Sequence, residues 1–202
     1  GLPGQPPDSD EPRRVADAVG RMGLRHAVVT SVNRDDQPDG GAGIFAATIR
    51  EIRARVPGCA VEVLVPDFKG RWDALQVVLE ARPDVLNHNV ETVPRLYREA
   101  RSGASFPRSL ELLKRSKAAG LLTKSGVMVG LGEERAEVEE TLRAIRTSGT
   151  DVLTVGQYLR PSPQHLPVRR YYSPEEFESL RSFALALGFA HPHAVSGLQR
   201  IG

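Results

Sequence analysis

TKSGVMVGLGE, residues 123–133, is the stretch whose reading decides the fold. Its apolar run predicts a strand over 123–129, released by Gly130-Leu131-Gly132. The spacing beyond predicts a helix over 135–148, closed by Gly149, and a strand over 152–155. Strand, crossover helix and strand in quick succession is the βαβ unit of parallel sheets. The same alternation continues toward the N-terminus. Asp8, Ser9 and Asp10 can cap a helix over 11–22 with Pro12 in its first turn, and Gly23 ends it. LRHAVVTSV (24–32) predicts a strand, and residues 41–56 a helix with Ile44, Phe45, Ile49 and Ile52 near helical spacing. A strand over 60–65, a helix over 71–81 and a short apolar strand over 84–88 follow. Helices over 92–101 and 106–119 lead back to the opening stretch, Gly120 ending the second. Beyond residue 155, Ser173, Pro174 and Glu176 form a capping-box start for a helix to 187, ended by Gly188. A last strand can begin at 188–190. Five strands and a candidate sixth, each separated by helix, define an α/β fold. No dinucleotide-binding glycine fingerprint follows the first strand. An open doubly wound sheet remains an alternative, but a partial (β/α) TIM-type barrel fits the repeat better. The division expected is a Pro-rich lead (1–10), the partial barrel (11–190) and a divergent C-terminal tail (191–202).

Composition narrows the function classes. The 202 residues carry 27 basic and 25 acidic side chains, a formal charge of +2, with the signs interspersed. No basic stripe interleaves with aromatics, so nucleic acid is not an expected partner. No run approaches the roughly 18 apolar residues of a membrane span, and the start does not resemble a signal peptide. The single cysteine, Cys59, excludes an internal disulfide and any cysteine-rich metal cage within this sequence, and a cytoplasmic location is expected.

In β/α barrels functional residues gather at the C-terminal ends of strands, and polar residues are concentrated there. Thr30-Ser31-Val32-Asn33-Arg34-Asp35-Asp36 follows the first strand, and Asn87-His88-Asn89-Val90-Glu91-Thr92 ends the third. Lys124 and Ser125 enter the fourth, which leaves through Gly130-Leu131-Gly132-Glu133. Gln157-Tyr158-Leu159-Arg160 follows the fifth. Such a rim suits a small ligand bearing an amine, a carboxylate and a ribose, since amides and carboxylates bind hydroxyl and ammonium groups while Arg or Lys takes a carboxylate. Gly130 and Gly132 would let backbone approach a flat ring.

TSVNRDD with DGG, LVPDFKGR, NHNVETVPRLY, TKSGVMVGLGE and LTVGQYLRPS with HLPV, in this order, resemble lipoyl synthase of the radical S-adenosylmethionine superfamily. The likeness runs from about residue 12 to 188. It implies a partial barrel of the radical S-adenosylmethionine type, here with the first strand missing. It implies an enzyme, a sulfurtransferase that inserts two sulfur atoms into an octanoyl chain on a lipoyl carrier domain. It further implies S-adenosylmethionine cleaved to a 5′-deoxyadenosyl radical, and two 4Fe-4S clusters, one held by a CxxxCxxC loop and one by a cysteine trio with a serine. Carried over, Thr30, Ser31, Asn33 and Arg34 match the S-adenosylmethionine contact region. Asn87, Asn89 and Glu91 match the set facing ribose and methionine. Lys124, Ser125, Gly130, Gly132 and Glu133 match the adenine motif, and Gln157, Tyr158 and Arg160 lie nearer the substrate.

The departures are equally specific. Both cysteine motifs are absent, so no cluster ligand is expected among these residues. Cys59 reads as a small turn residue away from the rim. Ile201 stands where the serine ligand would be expected, and Ser196 reads as a turn residue. His191 and His193 read as a surface loop, His165 as part of a structural loop. The expected function is therefore the barrel portion of a lipoyl synthase, inactive alone. The alternative is a truncated, non-catalytic remnant that retains ligand or partner binding. A Schiff-base role for Lys124 lacks an evident pKa-lowering neighbour.

Overall fold

The computed structural model describes residues 8–32, 34, 36–101 and 103–190, and the backbone of 193–199. The chain divides into two units, residues 1–87 with 118–121 and residues 88–117 with 122–202.

In the first unit α1 (Glu11–Arg21), β1 (His26–Thr30), α2 (Ala42–Arg55), β2 (Ala60–Leu64), α3 (Trp72–Glu80) and β3 (Val85–Asn87) alternate as expected. β1 pairs parallel with β2, His26 opposite Ala60 and Thr30 opposite Leu64, and β2 pairs parallel with β3. β2 is central in this unit, and Val61 and Val63 are fully buried. β1 alternates exposed and buried residues, the period of a strand with one face covered. Ile49 and Ile52 of α2 are fully buried, as their helical spacing requires. Asp10 stands at the N-cap of α1 without a side-chain cap bond; its carboxylate is taken up by Arg13 at 2.8 and 2.7 Å.

The second unit contains α4 (Tyr97–Ala100), α5 (Phe106–Ala118, whose last residue falls in the first unit), β4 (Leu122–Val129), α6 (Arg135–Thr147), β5 (Val152–Tyr158), α7 (Pro174–Ala186) and β6 (His193–Gln199). β4, β5 and β6 are parallel in that order, with a register shift between Gly156 and Tyr158. Val129, Leu142, Ile145, Leu153 and Leu180 make its dry centre. β5 runs three residues further than expected because Gly156, Gln157 and Tyr158 stay in the ladder. β6 lies in the stretch read from sequence as a divergent tail. The helix expected over 92–101 is a 3-10 turn, Pro94–Leu96, and the four-residue α4. Pro94 holds Val93 extended, at φ −71° and ψ 152°, so no helix passes through that pair.

Two helices carry capping boxes, of which sequence announced one. Ser173 and Glu176 close the one read from sequence at α7. α6 has a second, built from Glu134 and Glu137, and Arg95 forks onto Glu137 at 2.7 and 2.8 Å. The Arg95 guanidinium, and next the Glu134 backbone N–H, hold the Glu137 carboxyl down at about 2. A depressed carboxylate stabilises the fold above its ordinary pKa and loses that contribution as pH falls toward the folded value. Glu137→Gln is therefore expected to lower the melting temperature at neutral pH. The deficit should shrink as pH falls from 4.5 toward 2, and a deficit constant across thermal melts in that range would refute the assignment.

Candidate functional site

In the first unit the β1 end is exposed. Thr30 Oγ1 donates to the Leu64 carbonyl at 3.3 Å and Ser31 Oγ to the Val32 carbonyl at 3.0 Å. Arg34 forks onto Asp36 at 2.9 and 2.8 Å, which holds that carboxyl far below the usual range. Asn33 lies outside the described residues. Asp39 accepts the Gly41 and Gly43 N–H groups at 2.9 and 2.8 Å, occupying the α2 N-terminus with its own carboxylate. Arg71 secures this loop by donating to the Gln37 and Pro38 carbonyls. A cavity of about 490 Å³ is lined by Thr30, Ser31, Arg34 and Asp39 with Ile44 and Phe45 beneath. Asn87 is buried; its amide donates to Glu62 Oε1 at 2.9 Å, and its Oδ1 is buried without a partner.

In the second unit residues 88–91 run beside β4. Glu91 donates its N–H to Gly126 and accepts that of Met128, at 3.0 and 2.7 Å. These bonds hold Glu91 at φ 73°, a conformation costly for a non-glycine residue and sustained only when neighbours impose it. Asn89 lies over Gly126, where a Cβ would come within 2.6 Å of its Oδ1. Burial pushes the Glu91 carboxyl up, against the pull of Arg101 and a hydrogen bond with Asn89. Lys124 and Ser125 sit in the N-terminal half of β4, opposite Val152 and Leu153 where β5 begins. They do not share the C-terminal strand ends with Gly130 and Glu133. The Ser125 hydroxyl is buried without a partner.

The remaining rim residues are engaged with the chain itself. Glu133 accepts from the Gly130 N–H (2.7 Å), the Leu131 N–H (2.9 Å) and the Tyr172 hydroxyl (2.8 Å). Gln157 accepts the Tyr172 N–H at 2.9 Å and donates to the Arg170 carbonyl at 3.2 Å. Arg169 donates its N–H to the Gly130 carbonyl at 2.8 Å. Together these bonds latch residues 169–172 across the ends of β4 and β5. Burial pushes the Tyr172 phenol up to about 12. The Tyr158 hydroxyl donates to the Leu166 carbonyl at 2.8 Å, and Arg160 donates to the His165 and Pro163 carbonyls. Those three carbonyls belong to the loop that walls a cavity of about 480 Å³, lined also by Glu91, Thr92, Arg101 and Met128. Sequence reasoning placed Thr92 at the third strand end but missed Arg101, Met128 and Tyr172 as wall or latch residues. The bond from Tyr172 to Glu133 spans 39 residues, beyond any local pattern.

Cys59 is buried at the start of β2, beside a separate cavity with Arg53 and Asp84. Among the described residues no three His, Cys, Asp or Glu side chains are grouped to hold a metal ion, and no helix is long and apolar enough to cross a membrane.

A parallel strand-helix repeat with a polar rim defines a partial β/α-barrel enzyme scaffold, and the radical SAM superfamily profile matches residues 2–145. The chain belongs to that superfamily. It is 60% identical over 194 residues to the lipoyl synthase of Rubrobacter xylanophilus, covering 94% of this chain and 60% of that protein. It is 58% identical over 189 residues to the lipoyl synthase of Chloroflexus aurantiacus, covering 93% and 62%. The chain thus spans about three fifths of the curated relatives it matches. Among solved structures, HydG, a maturase of the FeFe-hydrogenase, superposes with a TM-score of 0.70 at 15% identity, covering 98% of this chain and 46% of that one; at that identity the likeness concerns the fold.

Proposed function

We propose that this chain supplies the barrel portion of a lipoyl synthase, which inserts sulfur into the octanoyl chain carried by a lipoyl carrier domain, and that alone it is inactive. The observation that carries the reading is the 60% identity over 194 residues to a lipoyl synthase. S-adenosylmethionine, when bound, supplies the hydrogen-abstracting radical chemistry. The groups proposed to contact it are those that keep hydrogen-bonding capacity beyond the bonds they make within the chain. They are Thr30, Ser31 and Asn87 in the first unit, and Asn89, Glu91 and Ser125 in the second. Arg34, Lys124, Gly130, Gly132 and Glu133 are proposed to shape or border the rim, and Gln157, Tyr158 and Arg160 to hold the loops on the substrate side. The cytoplasm is the proposed location.

The residues present do not fit an iron–sulfur cluster. Cubane clusters take several thiolates, whereas this chain has one thiol, buried beside the start of β2. No step is assigned to cluster chemistry within these residues, and this mismatch supports inactivity of the chain alone. Anaerobic reconstitution with iron, sulfide and S-adenosylmethionine is expected to yield neither cluster absorbance nor 5′-deoxyadenosine. Formation of either would defeat the inactivity reading. A chimera placing this chain in the matching 194 residues of the Rubrobacter enzyme tests the family reading. It is expected to make lipoyl product; a folded, cluster-loaded chimera that makes none would sink it.

A further inference from the structure

One face of the first unit's sheet carries a diagonal of polar side chains. Thr30, Leu64 and Asn87 stand at one level of the parallel ladder, where β1, β2 and β3 end. Glu62 stands two residues below that level, opposite Val85, and His26 two further down, opposite Ala60. Side chains alternate in direction along a strand, so His26, Glu62 and Asn87 share a face. Contacts join them along the diagonal. Glu62 Oε1 accepts from Asn87 Nδ2 at 2.9 Å, and Glu62 Oε2 stands 3.3 Å from His26 Nε2. Glu62 and Asn87 are buried, at 4% and 6% exposure, whereas His26 is exposed.

The polarity of the bond between Glu62 and Asn87 is dictated by chemistry. The two ends of an amide are told apart by the partners they meet. An ionised carboxylate only accepts, so the Asn87 nitrogen must face Glu62 and its oxygen must face away. That oxygen is buried and has no partner among the described residues. A buried acceptor left without a donor is costly, and a donor brought by a ligand removes the cost. Thr30, at the same level, gives its hydroxyl proton to the Leu64 carbonyl at 3.3 Å. Its oxygen, too, is left with accepting capacity only. The level where the three strands end therefore offers acceptors.

We propose that Glu62 is a positioning residue: it fixes Asn87 as a hydrogen-bond acceptor and so selects a ligand group that donates, a hydroxyl or an ammonium. The proposal rests on the reading of Asn87 as an S-adenosylmethionine contact, since the ribose and amino group of that ligand supply such donors. It adds which atom of Asn87 makes the contact and what holds that atom in place.

The test is solution NMR on the 202-residue chain, first without ligand. In Glu62→Gln the Asn87 side-chain amide protons are expected to exchange with solvent at least about tenfold faster, the worth of one charge-assisted hydrogen bond. The backbone amides of Val63 and Leu86, both fully buried, should keep their protection. Unchanged exchange at Asn87 would overturn the proposal whatever the ligand results. Titration with S-adenosylmethionine follows, and Glu62→Gln is expected to bind it about tenfold more weakly. The exchanged pair, Glu62→Gln with Asn87→Asp, keeps the native charge and reverses the bond: the new amide donates to the new carboxylate, whose other oxygen still accepts. It is expected to bind within about threefold of the unaltered chain. Adenosine carries the hydroxyls and L-methionine the ammonium, so the one that loses affinity in Glu62→Gln identifies the donor. If Glu62→Gln also loosens the backbone amides, the exchanged pair decides: recovered affinity supports the proposal, and restored protection without recovered affinity overturns it. Unchanged affinity in Glu62→Gln beside weakened binding in Asn87→Ala refutes the positioning role and keeps the contact reading. Unchanged affinity in Asn87→Ala, or no binding by the unaltered chain, refutes the contact reading instead, and the exchange result still decides whether Glu62 orients the amide.

Discussion

Gly130→Ala is expected to destabilise the chain by about 3–5 kcal/mol, read as a lower urea midpoint, through two additive causes. Gly130 has φ 107°, and placing an L side chain in that region costs about 1–3 kcal/mol. The larger cause is space. A Cβ there would lie 2.2 Å from Gln157 Nε2 and 2.7 Å from the Arg170 carbonyl oxygen. The amide could rotate away only by giving up its bond to the Arg170 carbonyl. The backbone carbonyl cannot move without undocking residues 169–172. Gly132 provides the control. Its φ is 105°, but the nearest atom to its Cβ would be Arg169 Cγ at 3.4 Å. Gly132→Ala should therefore show the conformational cost alone, about 1–2 kcal/mol. Equal losses for the two variants would mean that the crowding at Gly130 is relieved cheaply, and the latch would then be looser than described.

The glycines of GLG were legible as special positions, expected to let backbone approach a flat ring. At Gly130 the group that comes close is the chain's own amide and carbonyl, supplied from residues 157 and 170. The alternation of strands and helices was legible because its causes are local: apolar runs, caps and glycine stops. The helix expected over 92–101 failed where a local signal was underweighted, since Pro94 dictates an extended Val93. Lys124 and Ser125 were placed with the rim because they resemble part of the same family motif as Gly130 to Glu133. A strand advances about 3.3 Å per residue, so five or six residues along β4 carry them well away from its C-terminal end.

Glu133→Ala is the second substitution expected to have a large effect, about 3–5 kcal/mol, since it leaves buried donors without their charged acceptor. The carboxylate is 5% exposed and accepts from two backbone N–H groups and one phenol. Glu133→Gln should cost about 2–3 kcal/mol, because the amide nitrogen would oppose one of those donors rather than accept from it. Tyr172→Phe removes one donor and its partner bond together, and should cost only about 1 kcal/mol. In the Glu133→Ala background Tyr172→Phe should cost still less, since the two groups share one bond and neighbouring substitutions do not add. Two roles for Glu133 then separate by experiment. A carboxylate that mainly contacts a ligand would, on change to Gln, lower ligand affinity and leave the melting temperature nearly unchanged. A carboxylate that latches residues 169–172 would lower the melting temperature whether or not ligand is present. The three short bonds and the burial favour the second outcome. An unchanged melting temperature for Glu133→Ala would overturn it and return Glu133 to the ligand-facing rim.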